Sequence, residues 1–536
     1  MDEFDVVVLG SGAAGLMAAL SAADAGAHVG VFEKASLIGG TTCLSSGVAW
    51  LPNNRYAREA GVADSREEAL AYLGSLSRDM ILPGMAEVFV DSVDELTTWL
   101  ETRTPLGLSL VPGYPDYHPE HPGGKPAGGR SVEPRLFPFG RLGEWADRLV
   151  GHTRPMMVRE TPIGGGTGFI AAEEQRRRED QRLEGLGRAM IGALLTGCLD
   201  HGIEPERGAR AVELVREGDR VTGVRFDGGR EVRARRGVVI ATGGFEWDAD
   251  LARDFLRGPM VYPATVPTNT GDGLRMAMKV GARLGNMREA WWVPVCVLPG
   301  QENYGEQAVY LVLRERTVPR SIMVNRKGVR FTNEAANYNA LGGSFHQLDP
   351  ASFDYVNQPC WLVYDAGHVA EYGGFQLPPG QAPEWAHRAD SIPELAGKIG
   401  VDPDALTATV ARWNDLVAQG RDADFGRGDS AYDGFVGDKR AYPGAASTLG
   451  PVDTAPFYAV ELHISTLGTK GGPRTDIDGA VIDVDGNTIP GLYAAGNAMA
   501  GPTGMVYGGA GGTLGPALVF GYRAGRRAAV ATGGRR

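Results

Sequence analysis

The sequence has few cysteines, no excess of positive charge and no long apolar run. Its four cysteines, Cys43, Cys198, Cys296 and Cys360, are far apart and form no C-x-x-C pair, which leaves no disulfide framework, zinc site or iron–sulfur cluster to propose. A net charge of −12 argues against nucleic acid or an anionic membrane surface as the main partner. No apolar run approaches the length of a membrane span, so peripheral contact is the membrane association that stays open.

The first residues also lack the basic stretch of a secretory signal. Together with the scattered cysteines, this predicts a reduced, cytoplasmic protein. A chain of 536 residues is too long for one hydrophobic core and predicts two or three lobes. Glycine is abundant, with 78 residues, and clusters beside the ends of predicted strands. This pattern suits a large cofactor held by the backbone rather than disorder.

The first forty residues carry a dinucleotide-binding βαβ pattern. An apolar run at 5–9 leads into Gly-Ser-Gly-Ala-Ala-Gly at 10–15 and an Ala-rich helix over 16–23, and a second strand at 29–32 ends at Glu33. The glycines permit a tight turn, approach of backbone N–H groups to a pyrophosphate, and close packing of helix on sheet. The helix N-terminus favours the phosphates. Glu33 is placed to accept hydrogen bonds from an adenosine ribose.

Two further stretches favour FAD over NAD. A Gly/Thr/Ser-rich segment at 39–47 follows the ribose acid, where small and hydroxylated residues suit an isoalloxazine and its ribityl chain. A β-meander, with strands at 211–215 and 221–226, precedes a strand at 237–240 that ends in Ala-Thr-Gly-Gly at 241–244. In flavoproteins with two dinucleotide folds, such a strand returns to the cofactor beside the first Gly-rich turn.

The last part of the chain repeats the pattern of a strand, a Gly-rich turn and a helix. Residues 480–483 and 491–497 predict a strand pair and turn, and a Gly-rich stretch at 507–513 leads into a helix over 514–530. A helix N-terminus that faces the flavin pyrimidine would stabilise negative charge on the reduced ring. We expect this segment to complete the cofactor site.

These patterns predict an α/β protein in which a Rossmann-like FAD-binding domain, a parallel sheet plus β-meander, carries an inserted α+β substrate-binding lobe. The FAD-binding domain is assigned to 1–290 and 463–536, and the lobe to 291–462, which contains a strand at 321–325 and a helix at 406–414. Residues 65–103 predict helices, and 190–195 an amphipathic helix. A Pro/Gly-rich aromatic loop at 113–129 is either an exposed connector or a wall of the active site.

Together these stretches resemble the FAD-dependent 3-ketosteroid Δ1-dehydrogenases, within the fumarate reductase/succinate dehydrogenase flavoprotein superfamily, over nearly the whole chain. The wider likeness rests on residues 10–15, 33, 39–47, 241–244 and 491–497. The narrower one rests on residues 115–119, 333–338, 467–472 and 507–517.

The resemblance implies roles for four residues. Tyr338 would remove the axial C2 proton, with Tyr117 as its hydrogen-bond partner. The Tyr507 hydroxyl and the Gly511 backbone N–H would hold the C3 carbonyl oxygen while the C1 hydride goes to flavin N5. The proton α to a ketone becomes removable when donors stabilise the enolate oxygen. A tyrosine base also needs a pKa depressed by a neighbouring donor or a helix dipole.

The likeness and the Gly-rich motifs together predict the cofactor contacts. FAD is expected to be noncovalent, because Thr41-Thr42-Cys43 stands where the respiratory enzymes carry their histidine attachment. The predicted cofactor-binding residues are Gly10, Gly12, Ala13, Ala14, Gly15, Glu33, Lys34, Gly40, Thr41, Thr42, Ser46, Gly47, Ala211, Ala241, Thr242, Gly243, Gly496, Asn497, Gly512, Thr513 and Leu514. No metal ligands are proposed.

The chain departs from the family pattern in three places that bear on the substrate. His118 follows Tyr117 at a position where the family often has an aromatic residue. Residues 508–511 read Gly-Gly-Ala-Gly, whereas a proline often precedes the last glycine in the family. Residues 130–184 look longer than or different from the same region of the compact family members. The expected substrate is a small apolar ketone, a steroid by resemblance. The expected electron acceptor is a quinone or a carrier.

Other functions stay open from the sequence. The tyrosine set also suits a desaturase or ene-reductase of another cyclic ketone. A soluble fumarate-reductase-like enzyme would need arginine and histidine clamps on a dicarboxylate, and the lobe offers a set of candidates. They are Arg314, Arg316, Arg320, Arg330 and His346. A flavin carrier without a substrate does not require tyrosines on three separate segments, so the tyrosine pattern argues against this function.

Overall fold

The computed structural model describes residues 2–531; residue 1 and residues 532–536, the end of the predicted last segment, lie outside the described residues. The strands are β1 (Asp2–Leu9), β2 (Val29–Glu33), β3 (Ala49–Trp50), β4 (Leu108–Leu110), β5 (Ser131–Pro134), β6 (Phe137–Pro138), β7 (Leu183–Glu184), β8 (Glu206–Arg207), β9 (Ala211–Glu217), β10 (Arg220–Phe226), β11 (Glu231–Ile240), β12 (Leu284–Gly285), β13 (Ala290–Asn303), β14 (Glu306–Leu311), β15 (Ser321–Asn325), β16 (Leu348–Asp349), β17 (Asp354–Tyr355), β18 (Cys360–Asp365), β19 (His387–Ala389), β20 (Phe457–Thr469), β21 (Gly472–Pro473), β22 (Ala480–Ile482) and β23 (Thr488–Ala494). The helices are α1 (Ala13–Asp24), α2 (Gly40–Leu44), α3 (Arg55–Glu59), α4 (Arg66–Ser77), α5 (Met85–Asp91), α6 (Val93–Arg103), α7 (Ala172–Asp180), α8 (Leu186–Asp200), α9 (Ala249–Phe255), α10 (Asp272–Lys279), α11 (Tyr338–Phe345), α12 (Ala366–Tyr372), α13 (Ile392–Ile399), α14 (Pro403–Ala418), α15 (Ala431–Val436) and α16 (Leu514–Val530).

The largest sheet is the predicted parallel sheet with its β-meander. Its main path runs β22-β23-β11-β1-β2-β8, and β10 and β9 extend from β11 as antiparallel neighbours. Strands β1, β2, β11 and β23 run parallel, so their carboxyl ends meet at one edge, where ligands bind in open α/β sheets. The Gly-rich turn after β1 and the Ala-Thr-Gly-Gly turn after β11 therefore lie side by side.

A second, antiparallel sheet forms the predicted lobe. Its order is β14-β13-β20-β18-β15, with β19 also pairing with β20. Side chains along β18 alternate between two hydrophobic clusters: Leu362 faces the cluster that includes α11, whereas Trp361 and Val363 face the cluster that includes α13 and α14. This period-two alternation is typical of a strand buried on both faces. Strand β20 crosses the predicted boundary at 462, and the division of the chain into segments stays a prediction.

Helices α1, α8 and α16 cover the FAD-binding sheet region and share its core. The predicted helix at 514–530 is confirmed at both ends. The predicted amphipathic character of 190–195 is wrong, because every residue of α8 from 186 to 198 is buried. The helix packs against α1 on one side and α2 on another, so it has no solvent face. In the described part of the chain, no helix is both long and apolar enough to cross a bilayer.

Candidate active site

One cavity of about 460 Å³ runs along the carboxyl edge of the parallel sheet and joins the Gly-rich turns to the tyrosines. The predicted cofactor residues at its wall are Gly10, Gly12, Ala13, Ala14, Glu33, Lys34, Gly40, Thr41, Thr42, Ser46, Ala211, Ala241, Thr242, Gly243, Gly496, Asn497, Thr513 and Leu514. Three predicted residues, Gly15, Gly47 and Gly512, are not at the wall, and close packing explains why. A Cβ on Gly15 would lie 2.0 Å from the Gly10 carbonyl oxygen, one on Gly47 2.6 Å from the Leu186 backbone, and one on Gly512 2.7 Å from the Tyr507 ring.

The Gly-rich turn leaves room for a ligand backbone to approach. Gly10 has a φ of +104°, and a Cβ there would lie 2.3 Å from the carbonyl oxygen of Ala241, so only glycine permits this turn. Helix α1 begins after Gly12, and α16 after Thr513, and neither end has a side-chain cap. The Ala13 N–H of α1 donates to Thr42 Oγ1 at 3.3 Å, and the N–H groups that follow it at the start of each helix stay available to an anionic or carbonyl-bearing ligand. These features fit the pyrophosphate and the flavin ring of FAD.

Glu33 lies at the end of β2 as predicted, and it is anchored by neighbours within the turn. Its Oε2 accepts hydrogen bonds from Ser11 Oγ at 2.7 Å and Ser11 N at 3.0 Å, and its Oε1 accepts one from Ala35 N at 2.8 Å. Each carboxylate oxygen has two acceptor sites, so Oε2 is filled and one site remains on Oε1 for a ribose hydroxyl. Lys34 is occupied, because its Nζ donates to Thr270 Oγ1 and Asp272 Oδ2.

Three tyrosine hydroxyls form a continuous hydrogen-bonded chain at the other end of the cavity. The Tyr117 hydroxyl donates to Tyr338 Oη at 2.8 Å, and the Tyr338 hydroxyl donates to Tyr507 Oη at 2.9 Å. The ring centroids lie 5.0 to 5.6 Å apart. All three line the cavity with Gly511. The four residues predicted to act on the substrate therefore meet at one place.

The aromatic loop at 113–129 is a wall of this site rather than an exposed connector. Tyr114 and Tyr117 are buried and line the cavity. The Tyr117 backbone N–H donates to the carbonyl of Gly508, which joins this loop to the segment of Tyr507. Asp116 is also buried, and it accepts from Trp50 Nε1 and Arg130.

Asn337 connects the loops of Tyr117 and Tyr338. It is the N-cap of α11, so its Oδ1 accepts from Ala340 N, and its Nδ2 donates to the Tyr117 carbonyl at 3.3 Å and to His118 Nε2 at 3.1 Å. Burial lowers the pKa of His118 to about 4, which keeps the imidazole neutral and able to accept. An Asn before a helix is a common cap signal, and the sequence prediction missed its second role.

Gly511 presents a free donor beside the tyrosines. Its carbonyl accepts from Trp50 N at 2.9 Å, while its own N–H has no acceptor among the described residues. Its φ of +93°, and a distance of 2.5 Å between a hypothetical Cβ and the Val48 carbonyl oxygen, restrict the position to glycine. This N–H can therefore bind a substrate carbonyl oxygen.

The pKa of the Tyr338 hydroxyl is raised well above its usual value, which corrects the predicted depression. Burial is the largest cause, and the hydrogen bond from Tyr117 opposes it. Burial likewise raises the pKa of Tyr117 and of Tyr507. Desolvation disfavours a phenolate more than one neutral donor can favour it. Deprotonation of Tyr338 therefore needs a positive charge nearby.

Sequence reasoning missed several residues of the cavity wall. They include Ser11, Leu44, Ser45, Val48, Tyr114, Arg154, Val158, Thr161, Ile163, Leu186, Asn269, Leu311, Leu313 and Leu467. Val158, Ile163, Leu311 and Leu313 are apolar residues outside the motifs, which carry no local signal of a cavity. Ser11 lies inside the Gly-rich motif at 10–15, and Leu44 and Ser45 lie inside the segment at 39–47, so these residues could have been named. Asn269 donates to Thr41 Oγ1 at 3.1 Å and to Glu246, which links the segment at 39–47 to the residues after the turn at 241–244.

Known proteins resemble this chain over nearly its whole length. Residues 5–514 match the FAD binding domain family. The chain is 40% identical to 4-oxocyclohexanecarboxylate 2-dehydrogenase of Sinomonas cyclohexanicum, covering 98% of this chain and 92% of the relative. It is 38% identical to 3-oxosteroid 1-dehydrogenase of Mycobacterium tuberculosis, covering 98% of each.

A solved structure agrees with these relatives. The 3-ketosteroid Δ1-dehydrogenase from Sterolibacterium denitrificans, in complex with 1,4-androstadiene-3,17-dione, superposes with a TM-score of 0.91 at 33% identity and covers 99% of this chain and 100% of its own. The predicted Rossmann-like FAD-binding fold is thereby confirmed. The chain belongs to the 3-ketosteroid Δ1-dehydrogenase family, and it is an FAD-dependent oxidoreductase.

Proposed function

We propose that the chain catalyses the FAD-dependent 1,2-dehydrogenation of a 3-ketosteroid. The observation that carries this proposal is the hydroxyl chain from Tyr117 through Tyr338 to Tyr507, beside the free N–H of Gly511, in the same cavity as the dinucleotide motifs. The names of the M. tuberculosis and S. denitrificans proteins support the same substrate class.

Tyr338 is the base for the axial C2 proton. Its oxygen accepts a hydrogen bond from the Tyr117 hydroxyl, and this bond also stabilises a phenolate formed there. The Tyr507 oxygen accepts from Tyr338, so the Tyr507 O–H stays available for the ketone oxygen. Tyr117 donates to it, and Asn337 holds the two loops together. After the reaction, the proton taken from carbon resides on Tyr338 and can leave through Tyr117.

Tyr507 and Gly511 hold the ketone oxygen. An O–H and an N–H aimed at that oxygen stabilise the negative charge that develops on it when the α-proton leaves. Both donors belong to the turn before α16, whose uncapped N-terminus adds positive potential. FAD, when bound, accepts the hydride from C1, which leaves a C1–C2 double bond conjugated to the ketone.

The FAD is noncovalent in this proposal. No histidine is found among the described residues that line the cavity, and residues 41–43 read Thr-Thr-Cys. Acid precipitation should release all flavin into the supernatant. Flavin that stays with the precipitated polypeptide would contradict a noncovalent site.

A smaller cyclic ketone with a carboxylate is a second candidate substrate. The 40% identical Sinomonas relative is named for 4-oxocyclohexanecarboxylate, which carries an acid group opposite its ketone. Arg154 lines the cavity and donates to the Leu44 carbonyl, and no described carboxylate lies within 4.0 Å of its guanidinium. This arginine could bind such an acid.

The described structure offers little support for a dicarboxylate site. Arg320 pairs with Asp365, Arg330 pairs with Glu334 and Asp422, and His346 contacts the Pro259 carbonyl. None of the five candidate residues named from the sequence lines the cavity within the described range. The charges of Arg320 and Arg330 are paired within the lobe.

A steady-state assay with an artificial electron acceptor separates the candidates. The purified holoenzyme should oxidise a 3-keto-4-ene steroid, with a larger kcat/KM than for 4-oxocyclohexanecarboxylate or succinate. If the cyclohexane acid is preferred, Arg154→Gln should lower its kcat/KM and leave the steroid rate unchanged. Oxidation of succinate alone would overturn the proposal. The natural acceptor, a quinone or a carrier, and the cytoplasmic location remain proposals.

A further inference from the structure

Two buried cations contact the backbone that carries two of the three tyrosines. Arg316 is buried to 1% exposure, and its guanidinium donates to the carbonyls of Glu334 and of Ala336, the latter at 2.8 Å. These residues directly precede Tyr338. The Nε of Arg316 donates to the Val312 carbonyl at 3.0 Å. The side chain therefore fixes the segment that presents Tyr338.

Lys470 has the same relation to Tyr507. It is also 1% exposed, and its Nζ donates to the carbonyls of Met505 at 2.8 Å and Val506 at 3.0 Å. The ammonium lies 3.9 Å from the centroid of the Trp291 ring, and that ring meets Tyr507 edge-on at 4.7 Å. Lys470 belongs to the 467–472 motif, to which the proposed reaction assigns no role.

Neither cation is neutralised at close range. No described carboxylate lies within 4.0 Å of the Arg316 guanidinium or the Lys470 ammonium. By contrast, Arg130, which braces the loop of Tyr117, pairs with Asp64 and Asp116. A loop can thus be held by an arginine that is paired with carboxylates. Leaving a buried charge without such a partner is costly and needs another reason.

The ionisable groups around each cation are few. Those that act on Arg316 include Tyr432, Asp433, Glu315, Tyr338 and Tyr114, and negative charge on any of these tyrosines favours the guanidinium. The same attraction favours a phenolate at the tyrosine. Those around Lys470 are Glu289 and Arg257, with the Tyr507 ring at 5.9 Å.

We propose that Arg316 and Lys470 are positioning residues of the reaction. Arg316 orients Tyr338, and its positive charge favours the Tyr338 phenolate. Lys470 orients Tyr507, and its positive charge offsets the negative charge that develops on the ketone oxygen to which the Tyr507 hydroxyl donates. This rests on the proposed function. The charge of Arg316 acts on Tyr338.

For Arg316 the test is exchange of the substrate's α-hydrogen with solvent deuterium, on enzyme whose flavin has been reduced, as a function of pH. Arg316→Gln keeps N–H donors for the carbonyls and loses the charge, whereas Arg316→Lys keeps the charge. The pKa obtained from the pH dependence of the exchange rate, the kinetic pKa, should rise by about one unit or more in Arg316→Gln. The exchange rate at lower pH should therefore fall about tenfold. Arg316→Lys should stay closer to the parent.

Arg188→Met is the matched structural control. Arg188 is buried and donates to the carbonyls of Leu149 and Val150, but it has Glu184 as a partner. The Arg188→Met variant should have a lower melting temperature than the parent but the same kinetic pKa. An unchanged kinetic pKa in Arg316→Gln with normal FAD content would overturn the role of Arg316. A parent enzyme that neither exchanges nor turns over would instead overturn the proposed function itself.

For Lys470 the test is the pH dependence of kcat in Lys470→Met and Lys470→Arg. Burial lowers the pKa of Lys470 to about 7, so the parent loses this charge as pH rises through that value, whereas arginine keeps it. The kcat of Lys470→Arg divided by that of the parent should therefore rise as pH increases through 7. Over the same range, the kcat of the parent divided by that of Lys470→Met should fall toward one. A kcat of Lys470→Met equal to that of the parent and of Lys470→Arg below pH 7, with normal FAD content, would overturn the role of Lys470.

Discussion

The two ends of the cavity differ in how they present chemistry to a ligand. At the dinucleotide end, backbone N–H groups, glycines and short hydroxyl side chains come from contiguous motifs such as residues 10–15. At the tyrosine end, three long side chains come from positions that are 221 and 169 residues apart. A site made of backbone is encoded locally, whereas a site made of side chains requires that distant segments fold together.

The same contrast holds for electrostatics. The dinucleotide end relies on helix N-termini, whose partial charges need no ionised side chain. The tyrosine end relies on a phenolate that burial disfavours and on full charges held nearby. We therefore expect variants at the dinucleotide end to alter cofactor retention, and variants at the tyrosine end to alter the chemical step.

The largest effect should follow Tyr338→Phe. The variant keeps the ring and its packing but lacks the base, so kcat should fall by about 10²–10⁴-fold. FAD content should remain normal, and exchange of the substrate's α-hydrogen should disappear. Tyr364→Phe is a matched control, because Tyr364 is buried in the lobe and its hydroxyl has no partner. Exchange at the parent rate in Tyr338→Phe would mean that the base lies elsewhere.

The next effect concerns the ketone clamp. Tyr507→Phe removes one of two donors to the developing negative charge, so kcat should fall by about 10²–10³-fold. The measurement is a full steady-state profile, because a raised KM with little loss of kcat would show that the hydroxyl contributes uniform binding instead. Gly511 should then account for the remaining stabilisation.

A smaller effect is expected at the dinucleotide end. Glu33→Ala removes the carboxylate that binds Ser11 and is expected to bind the ribose, so FAD affinity should fall by about 10- to 100-fold, the equivalent of one charge-assisted hydrogen bond. The FAD affinity of Glu33→Gln should lie between those of Glu33→Ala and the parent. The kcat of the fraction that retains FAD should equal that of the parent. A lower kcat in fully loaded Glu33→Ala would break the proposed separation between the two ends.

The smallest effect is a pH dependence of stability at the tyrosine end. The pKa of His118 is about 4 in the folded protein and about 6.5 when unfolded. Neutral His118 therefore contributes its full stability above pH 6.5, and this contribution is lost progressively as pH falls toward 4. Protonation also turns the Nε2 acceptor for Asn337 into a donor.

Melting temperatures between pH 4 and 6.5 test this prediction. The decline should be smaller in His118→Gln than in the parent. Part of the decline should persist, because burial also lowers the pKa of His346 and of His368 to about 4. Equal declines in variant and parent would show that His118 does not titrate in this range.

Much of the fold could be predicted from the sequence because it depends on local patterns. The strand at 321–325 and the helix at 514–530 were predicted with the bounds observed, since a short apolar run marks the strand and a Gly-rich turn marks the start of the helix. Helix α8 shows the limit of such patterns. Its burial on all sides depends on contacts with α1 and α2, which no local periodicity reports.

The sequence by itself determined the dinucleotide end, because glycine is required wherever the backbone takes a positive φ or approaches another chain segment closely. Gly10 and Gly15 meet that requirement within six residues. Only the tertiary structure decided which tyrosine hydroxyls touch, that the loop at 113–129 is a wall of the cavity, and that Arg316 and Lys470 lie behind the tyrosines without close carboxylates. The physical reason is that side-chain hydrogen bonds and charge interactions depend on distances between segments that lie far apart in the chain.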